Sequence, residues 1–326
     1  MKIDISDPLQ PFKPMRLFQG PHAQTIAAHV FNCWKPKNRS KLLEVPLKDG
    51  DRLAILVDVP STSPKAAVLL MHGLGGSASA KYMLSATRRL IENGYLVLRM
   101  NCRGAGEGAG IVRRMYHAGL SDDVRYALST AIGQFPKLKF VLVGFSMSGN
   151  TVLKYAGEFG KDTPKHLAGI IAVNPTLDLE RCIDAIEHPN NKRYHRRFTK
   201  LLIAQLVANS PRCRVPERVD LIDTIRAYDN AVTSQNWGFE SAEAYYRQES
   251  AVMSIPNIAK PTIVLTSDDD PLIPVHIFSD VRWPDGTRLH VTQGGGHMGY
   301  LACQKTPLGD RRWLDYYLIY ALDLIL

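Results

Sequence analysis

No apolar run in this sequence approaches the ~20 residues that a membrane-crossing helix needs. The first residues, Met1-Lys2-Ile3-Asp4-Ile5-Ser6-Asp7-Pro8, lack the apolar segment of a secretory signal. A cytoplasmic protein is therefore expected. Cysteine is scarce: the chain holds five, Cys33, Cys102, Cys182, Cys213 and Cys303, an odd and dispersed set without Cys-x-x-Cys spacing. That set argues against a disulfide framework and against a zinc site, and it fits a reducing compartment. Internal repeats and low-complexity tracts are lacking. So are RNP, zinc-finger and helix-turn-helix signatures, and nucleic acid is not expected as a partner.

What is present is an ordinary globular composition, 45% hydrophobic and 22% charged, in 326 residues. That length suits one large α/β domain with an insertion, or two domains. The net charge is +9, and part of it is concentrated in Lys192-Arg193-Tyr194-His195-Arg196-Arg197 with Lys200. Such a cluster is first a solvated helix face. Its second reading is transient contact with an anionic surface such as lipid headgroups.

Residues 1–40 are Pro-rich and read as an irregular arm lying on the main domain. Leu42–Leu47 and Leu53–Val59 read as paired strands around a turn at 48–51. The continuous apolar run Ala66–Met71 reads as a buried central strand. Helical spacing then predicts Lys81–Asn93, stopped by Gly94, and Ser121–Ile132, with Ser121 as its N-cap and Asp122 and Asp123 in the first turn. Strands are expected at Tyr95–Met100, Phe140–Val143 and Leu167–Val173, with a helix at Met147–Gly157. The alternation then breaks, because residues 176–250 carry helical periodicity and no evident strand. It resumes with strands at Thr262–Thr266 and Arg288–Thr292, a helix near Val275–Asp280, and a last helix from Arg311 packed through Trp313, Tyr317, Tyr320 and Leu324. The units expected are thus an arm (1–40), a core in two parts (41–175 and 251–326) and a helical lid (176–250). The fold class is α/β: a mostly parallel sheet with helices on both faces and an inserted lid at the edge where such folds place their sites.

The most telling stretch is Gly144-Phe145-Ser146-Met147-Ser148-Gly149-Asn150, directly after an apolar strand. A strand ending in Gly-x-Ser and turning at once into small residues suits a nucleophile elbow, which lifts one serine above the sheet edge. A serine hydroxyl needs a base, a group to orient that base, and donors for the oxyanion. His297, in the glycine-rich loop after the last strand, is the candidate base. Asp270, in Ser267-Asp268-Asp269-Asp270-Pro271, is the candidate orienter, with Asp269 as the fallback. The candidate oxyanion donors are the backbone N–H groups of Met147 and of Leu74, the latter in His72-Gly73-Leu74-Gly75-Gly76. The order Ser146, Asp270, His297 is the one used by α/β-hydrolases. Cys102 ranks below Ser146 as a nucleophile, and Arg103 reads as a structural residue bonding loop carbonyls or an acid. Phe198, Leu201, Leu202 and Leu206 form one stripe that packs the lid on the core, or alternatively lines an acyl pocket.

Together these segments resemble the YheT-like esterases of the α/β-hydrolase superfamily. The resemblance spans nearly the whole chain: Pro21-His22-Ala23-Gln24-Thr25, the His72–Gly76 loop, Asn101-Cys102-Arg103-Gly104, the elbow at Ser146, Trp237-Gly238-Phe239-Glu240-Ser241 with Tyr245-Tyr246, Asp269-Asp270-Pro271, and Gly295-Gly296-His297-Met298-Gly299. It implies a Ser-Asp-His hydrolase with a helical lid, no metal and no cofactor. Family members usually carry Gly-x-Ser-x-Gly-Gly at the elbow, so Ser148 departs from the pattern. The function expected is hydrolysis of a small-molecule carboxylic ester, acyl or lipid-like, through an acyl-enzyme. Acyl transfer by the same acyl-enzyme and a non-catalytic binding protein on this fold are the alternatives. Physiological substrate and oligomeric state are left open.

Overall fold

The computed structural model describes residues 9–30, 40–210 and 212–326, with backbone only at His29 and Val30. Cys33 and most of the residues expected to form the arm's ends, 1–8 and 31–39, lie outside the described residues. Within the arm, Pro21–Val30 forms helix α1, where an irregular segment was expected. Pro at the first helical position explains the start, since its missing N–H is one the first turn leaves unbonded anyway. Phe12 anchors the preceding stretch, its ring 5.5 Å from that of Tyr300 and 5.4 Å from that of Trp313.

Eight strands make one sheet. In chain order they are β1 (Lys41–Pro46), β2 (Arg52–Asp58), β3 (Ala66–Met71), β4 (Tyr95–Met100), β5 (Phe140–Phe145), β6 (Leu167–Val173), β7 (Thr262–Ser267) and β8 (Thr287–Thr292). Their spatial order is β1-β2-β4-β3-β5-β6-β7-β8. β2 is antiparallel to both of its neighbours, and all pairs from β4 to β8 are parallel. β3, β4 and β5 are buried at every residue, which is why they read as unbroken apolar runs rather than alternating ones.

Helices cover both faces. α2 (Lys81–Glu92) packs with Val68 and Leu70 on one side, and α3 (Ser121–Gln134) and α4 (Met147–Phe159) pack with Ala67, Leu69 and Met71 on the other. Ser121 is the first residue of α3 and not its cap. Leu120 holds the cap position without a side-chain bond, and the Ser121 hydroxyl is drawn instead to Glu158 on α4.

Between β6 and β7 the described chain is helical: α5 (Leu179–Glu187), α6 (Lys192–Ala208), α7 (Ile225–Tyr228), a π-helical turn at Asp229–Ser234, α8 (Gln235–Trp237) and α9 (Ala242–Glu249). This insert leaves from the C-terminal end of β6, and its end returns beside its start, Leu179 N–H donating to Ser250 Oγ (2.9 Å), before the chain runs on to the N-terminal end of β7.

Two expected elements differ. The helix near Val275–Asp280 is a single 3-10 turn, Val275–Phe278, entered from Pro274. The last helix, α10, runs from Trp313 to Ile325. Trp313 and Tyr317 are buried there as expected, but Tyr320 is half-buried and Leu324 exposed, because the first two turns are enclosed nearly all round by α2 and the sheet.

Candidate active site

The elbow is a strained turn. Ser146 has φ +54° and ψ −118°, outside the regions that L-residues ordinarily occupy. The chain closes so tightly around it that a Cβ on Gly144 would lie 2.2 Å from the Ser148 carbonyl oxygen, so no larger residue fits there. The turn is pinned by Ser146 N–H donating to Val173 O (2.8 Å) and by Gly149 N–H donating to Ser146 O (2.8 Å).

The structure brings the three expected side chains into one line. His297 Nε2 lies 3.0 Å from Ser146 Oγ, and His297 Nδ1 lies 2.8 Å from Asp270 Oδ2. A carboxylate only accepts, so Nδ1 carries the ring proton of neutral His297 and Nε2 is left to accept from the serine hydroxyl. Asp270 is held by more than this bond. Its Oδ1 accepts from Leu272 N–H (2.9 Å) and Ile273 N–H (3.1 Å), and its Oδ2 also accepts from Asn174 Nδ2 (2.7 Å). Asp269, the fallback, accepts from Gly296 N–H (2.8 Å), and Asp268 accepts from Gly294 N–H (2.7 Å). All three acids therefore fasten successive parts of the histidine loop, and Asp270 alone of them meets the ring. From α1, Thr25 Oγ1 accepts His297 N–H at 2.9 Å.

The loop after β3 has a clear hydrogen-bond pattern. Gly73 N–H donates to Tyr82 Oη (2.8 Å), Gly75 N–H to Tyr116 Oη (2.8 Å) and Gly76 N–H to Gly73 O (3.1 Å). Leu74 N–H is the amide of this run with no partner among the described residues. Met147 N–H is likewise unpaired by the helix it begins, as the first amides of any helix are. His72 serves the same loop. Its Nε2 accepts from Cys102 N–H (3.1 Å), so Nδ1 bears the proton and donates to Gly73 O (2.8 Å). Burial lowers its pKa to about 4, keeping the ring neutral.

Two cavities open at Ser146 and His297. One runs among apolar residues of the insert and the acid loop, including Leu179, Ile183, Phe198, Leu202, Leu272 and Ile273. The other is a wider groove between α1 and α6, lined by Ile26, Gly73–Gly76, Lys81, Arg197 and Leu201. Phe198 thus faces both spaces and Leu202 the first, although Leu202 and Leu206 also pack in the core. Lys192, Arg193, Arg196, Arg197 and Lys200 are exposed on α6, whereas His195 lies half-buried beside Glu187.

Ser148 is fully buried and its hydroxyl donates to His72 O at 2.5 Å. Cys102 is buried against Ser148, and burial pushes its thiol up to about 12, so it is inert as a nucleophile. Arg103 makes a fork-to-carboxylate pair with Asp123 (2.7 Å to each oxygen) and reaches Asp49 at 2.6 Å, a structural clamp on the β1–β2 turn. The sequence reading missed Asn174, Tyr82, Tyr116 and Gln205. Asn174 alone carried a local signal, as a polar residue directly after a strand.

The Hydrolase_4 family, described as serine aminopeptidase S33, matches residues 62–298. YheT of Escherichia coli (strain K12), which bears an esterase name, is 28% identical over 93% of this chain and 90% of its own length. The monoacylglycerol lipase of Saccharomyces cerevisiae is 27% identical over 78% of this chain and 58% of its own. Among solved structures, the Pyrococcus furiosus esterase Pf2001 superimposes with a TM-score of 0.60 at 16% identity, covering 91% of this chain and 96% of that one. With its elbow serine and its mostly parallel sheet, the chain belongs to the Hydrolase_4 family of α/β-hydrolases, and it is a serine hydrolase by family.

Proposed function

We propose that the chain is a serine-dependent carboxylic ester hydrolase working through Ser146, His297 and Asp270. The observation that carries the proposal is the continuous hydrogen-bonded line from Asp270 through His297 to Ser146, at 2.8 and 3.0 Å, opening on two cavities. In this mechanism Ser146 Oγ attacks the acyl carbonyl while His297 Nε2 takes its proton. Asp270 keeps the ring in the correct tautomer and stabilises the imidazolium. The N–H groups of Leu74 and Met147 receive the oxyanion. His297 returns the proton to the leaving alcohol, and water then releases the acyl group by the same steps with His297 again as base.

The apolar cavity suits an acyl chain, and the groove suits the alcohol. An esterase and a lipase name among the relatives agree with this. An aminopeptidase would need a carboxylate free to receive a cationic terminus. Among the described residues lining the two cavities the acid is Asp229, and both its oxygens already accept, from Thr233 (2.7 Å) and Tyr246 (2.8 Å). Lys81 and Arg197 would also oppose such a terminus, while favouring an anionic or interfacial ester. In this reading the insert acts as a lid, and the free thiols of Cys102, Cys182, Cys213 and Cys303 suit a reducing compartment.

Replacing Ser146 with alanine is expected to cut turnover of aryl esters by a factor on the order of 10^4 to 10^6, with an unchanged melting temperature. Covalent labelling by a fluorophosphonate should vanish with it. Undiminished turnover in Ser146→Ala would overturn the assignment.

A further inference from the structure

The loop that carries the Leu74 amide is held from three directions, and one of them is the insert. Gln205, on α6, donates from Nε2 to Gly76 O (2.9 Å). Its Oε1 accepts from Tyr116 Oη (3.0 Å), and the same phenol oxygen accepts from Gly75 N–H (2.8 Å). Burial raises the Tyr116 phenol well above its usual range, so its proton stays in place to be donated to Gln205. One turn earlier on the same face of α6, Leu201 packs directly on the loop. A Cβ at Gly75, where φ is +68°, would stand 3.0 Å from Leu201 Cβ. From the core side, Tyr82 of α2 holds Gly73 N–H, and the His72 ring holds Gly73 O.

The amides before and after Leu74 are thus each fixed by a tyrosine hydroxyl. One tyrosine stands on a core helix, and the other is oriented by a residue of the insert. We propose that Gln205 is a positioning residue for the oxyanion hole. Through Tyr116 and Gly76 it fixes the Leu74 N–H, so that the hole is complete only while α6 is seated on the loop. The proposal deepens the hydrolase reading given above and rests on it. It has a consequence for substrate choice: Phe198 and Leu202 on the same helix line the cavity proposed for the acyl chain, so an acyl group that seats α6 well also favours its own oxyanion. Displacing α6 lowers the chemical step instead of exposing a ready site.

The test compares Gln205→Leu, Gln205→Glu and Tyr116→Phe with the wild type on a short soluble aryl ester. It also measures inhibition by an aryl trifluoromethyl ketone, which forms a tetrahedral adduct on the serine. Gln205→Glu is nearly isosteric and keeps an acceptor for Tyr116, but it sets an oxygen against the Gly76 carbonyl in place of the donor, so melting temperatures are measured for all three variants. For Gln205→Leu and Tyr116→Phe the expected result is a fall in kcat of about 10- to 100-fold, with KM within about twofold and the ketone weakened in parallel with kcat; Gln205→Glu, which sets a carboxylate against the Gly76 carbonyl, falls at least as far as Gln205→Leu. A purely structural role would move the melting temperature without this split. If kcat and ketone affinity stay within about twofold in the variants while Ser146→Ala is inactive, this inference fails and the hydrolase reading stands. If Ser146→Ala is itself active, both fail.

Discussion

A serine stands at 148 where the resembling family usually has glycine, and its hydroxyl satisfies the buried His72 carbonyl. The departure is therefore a substitution with its own bond. Ser148→Ala should destabilise the protein by about 1–3 kcal/mol, because the carbonyl is left unpaired in the interior. Ser148→Gly should be worse by a further ~0.5–1 kcal/mol, since glycine is poor inside a helix. Denaturant midpoints would measure both, and equal stability for all three proteins would mean that the carbonyl has another partner. At this scale legibility follows distance along the chain. Ser146, Asp270 and His297 each sit in a short motif at a strand end, so they could be singled out one at a time. Asn174 also follows a strand directly, but that place does not give its role, which is set by a carboxylate 96 residues away. Tyr116 and Gln205 are 89 residues apart and belong to different layers. In sequence a lone Tyr reads as core and a lone Gln as surface, and only packing joins them.

The elements were legible where burial is uniform or periodic, as in β3 through β6 and α2. They were misread where a tertiary partner overrode a local preference. Ser121 has the chemistry of a cap, but Glu158 takes its hydroxyl; Val275–Asp280 has helical spacing, but only one turn forms before the chain leaves for β8. A joint between elements carries the next prediction. His117, in the segment before α3, packs edge-on against Trp237 of α8 and Tyr245 of α9. Burial, with Arg103, Lys154 and Arg114 nearby, lowers its pKa to about 3. The unfolded chain protonates this histidine below about 6.5, whereas the folded one does so only near 3, so its contribution to stability is lost as the pH falls through that window. His72 acts in the same direction down to about 4. Asp229, raised by burial to about 6, acts oppositely, gaining from acid between about 6 and its unfolded value. His117→Gln should therefore show a shallower loss of melting temperature between about pH 6.5 and pH 4 than the wild type. An unchanged slope would remove His117 as the source.

Across the whole molecule, charge is uneven. Arg197 of α6 lines the groove together with Ile26 of α1, which is 49% exposed, and the other cations of α6 are exposed on the same helix. Contact with an anionic surface, the second reading of the basic cluster, predicts co-sedimentation with phosphatidylglycerol vesicles, weaker with neutral phosphatidylcholine and lost at high salt. Arg193→Glu combined with Arg196→Glu should abolish it while sparing turnover of a soluble ester. Equal binding to both vesicle types would dismiss the contact.

The fold invites exchange of parts, since the insert enters and leaves between β6 and β7 and the strands carrying Ser146, Asp270 and His297 lie outside it. Gln205 and Leu201 limit that freedom. A foreign insert grafted at the same two junctions would bring new walls for substrate, but it would leave the loop at Gly75 and Gly76 without its outer brace. Chimeras of this scaffold therefore have to inherit α6 together with the core, and specificity is better redrawn on α5 and the turn at Asp229–Ser234.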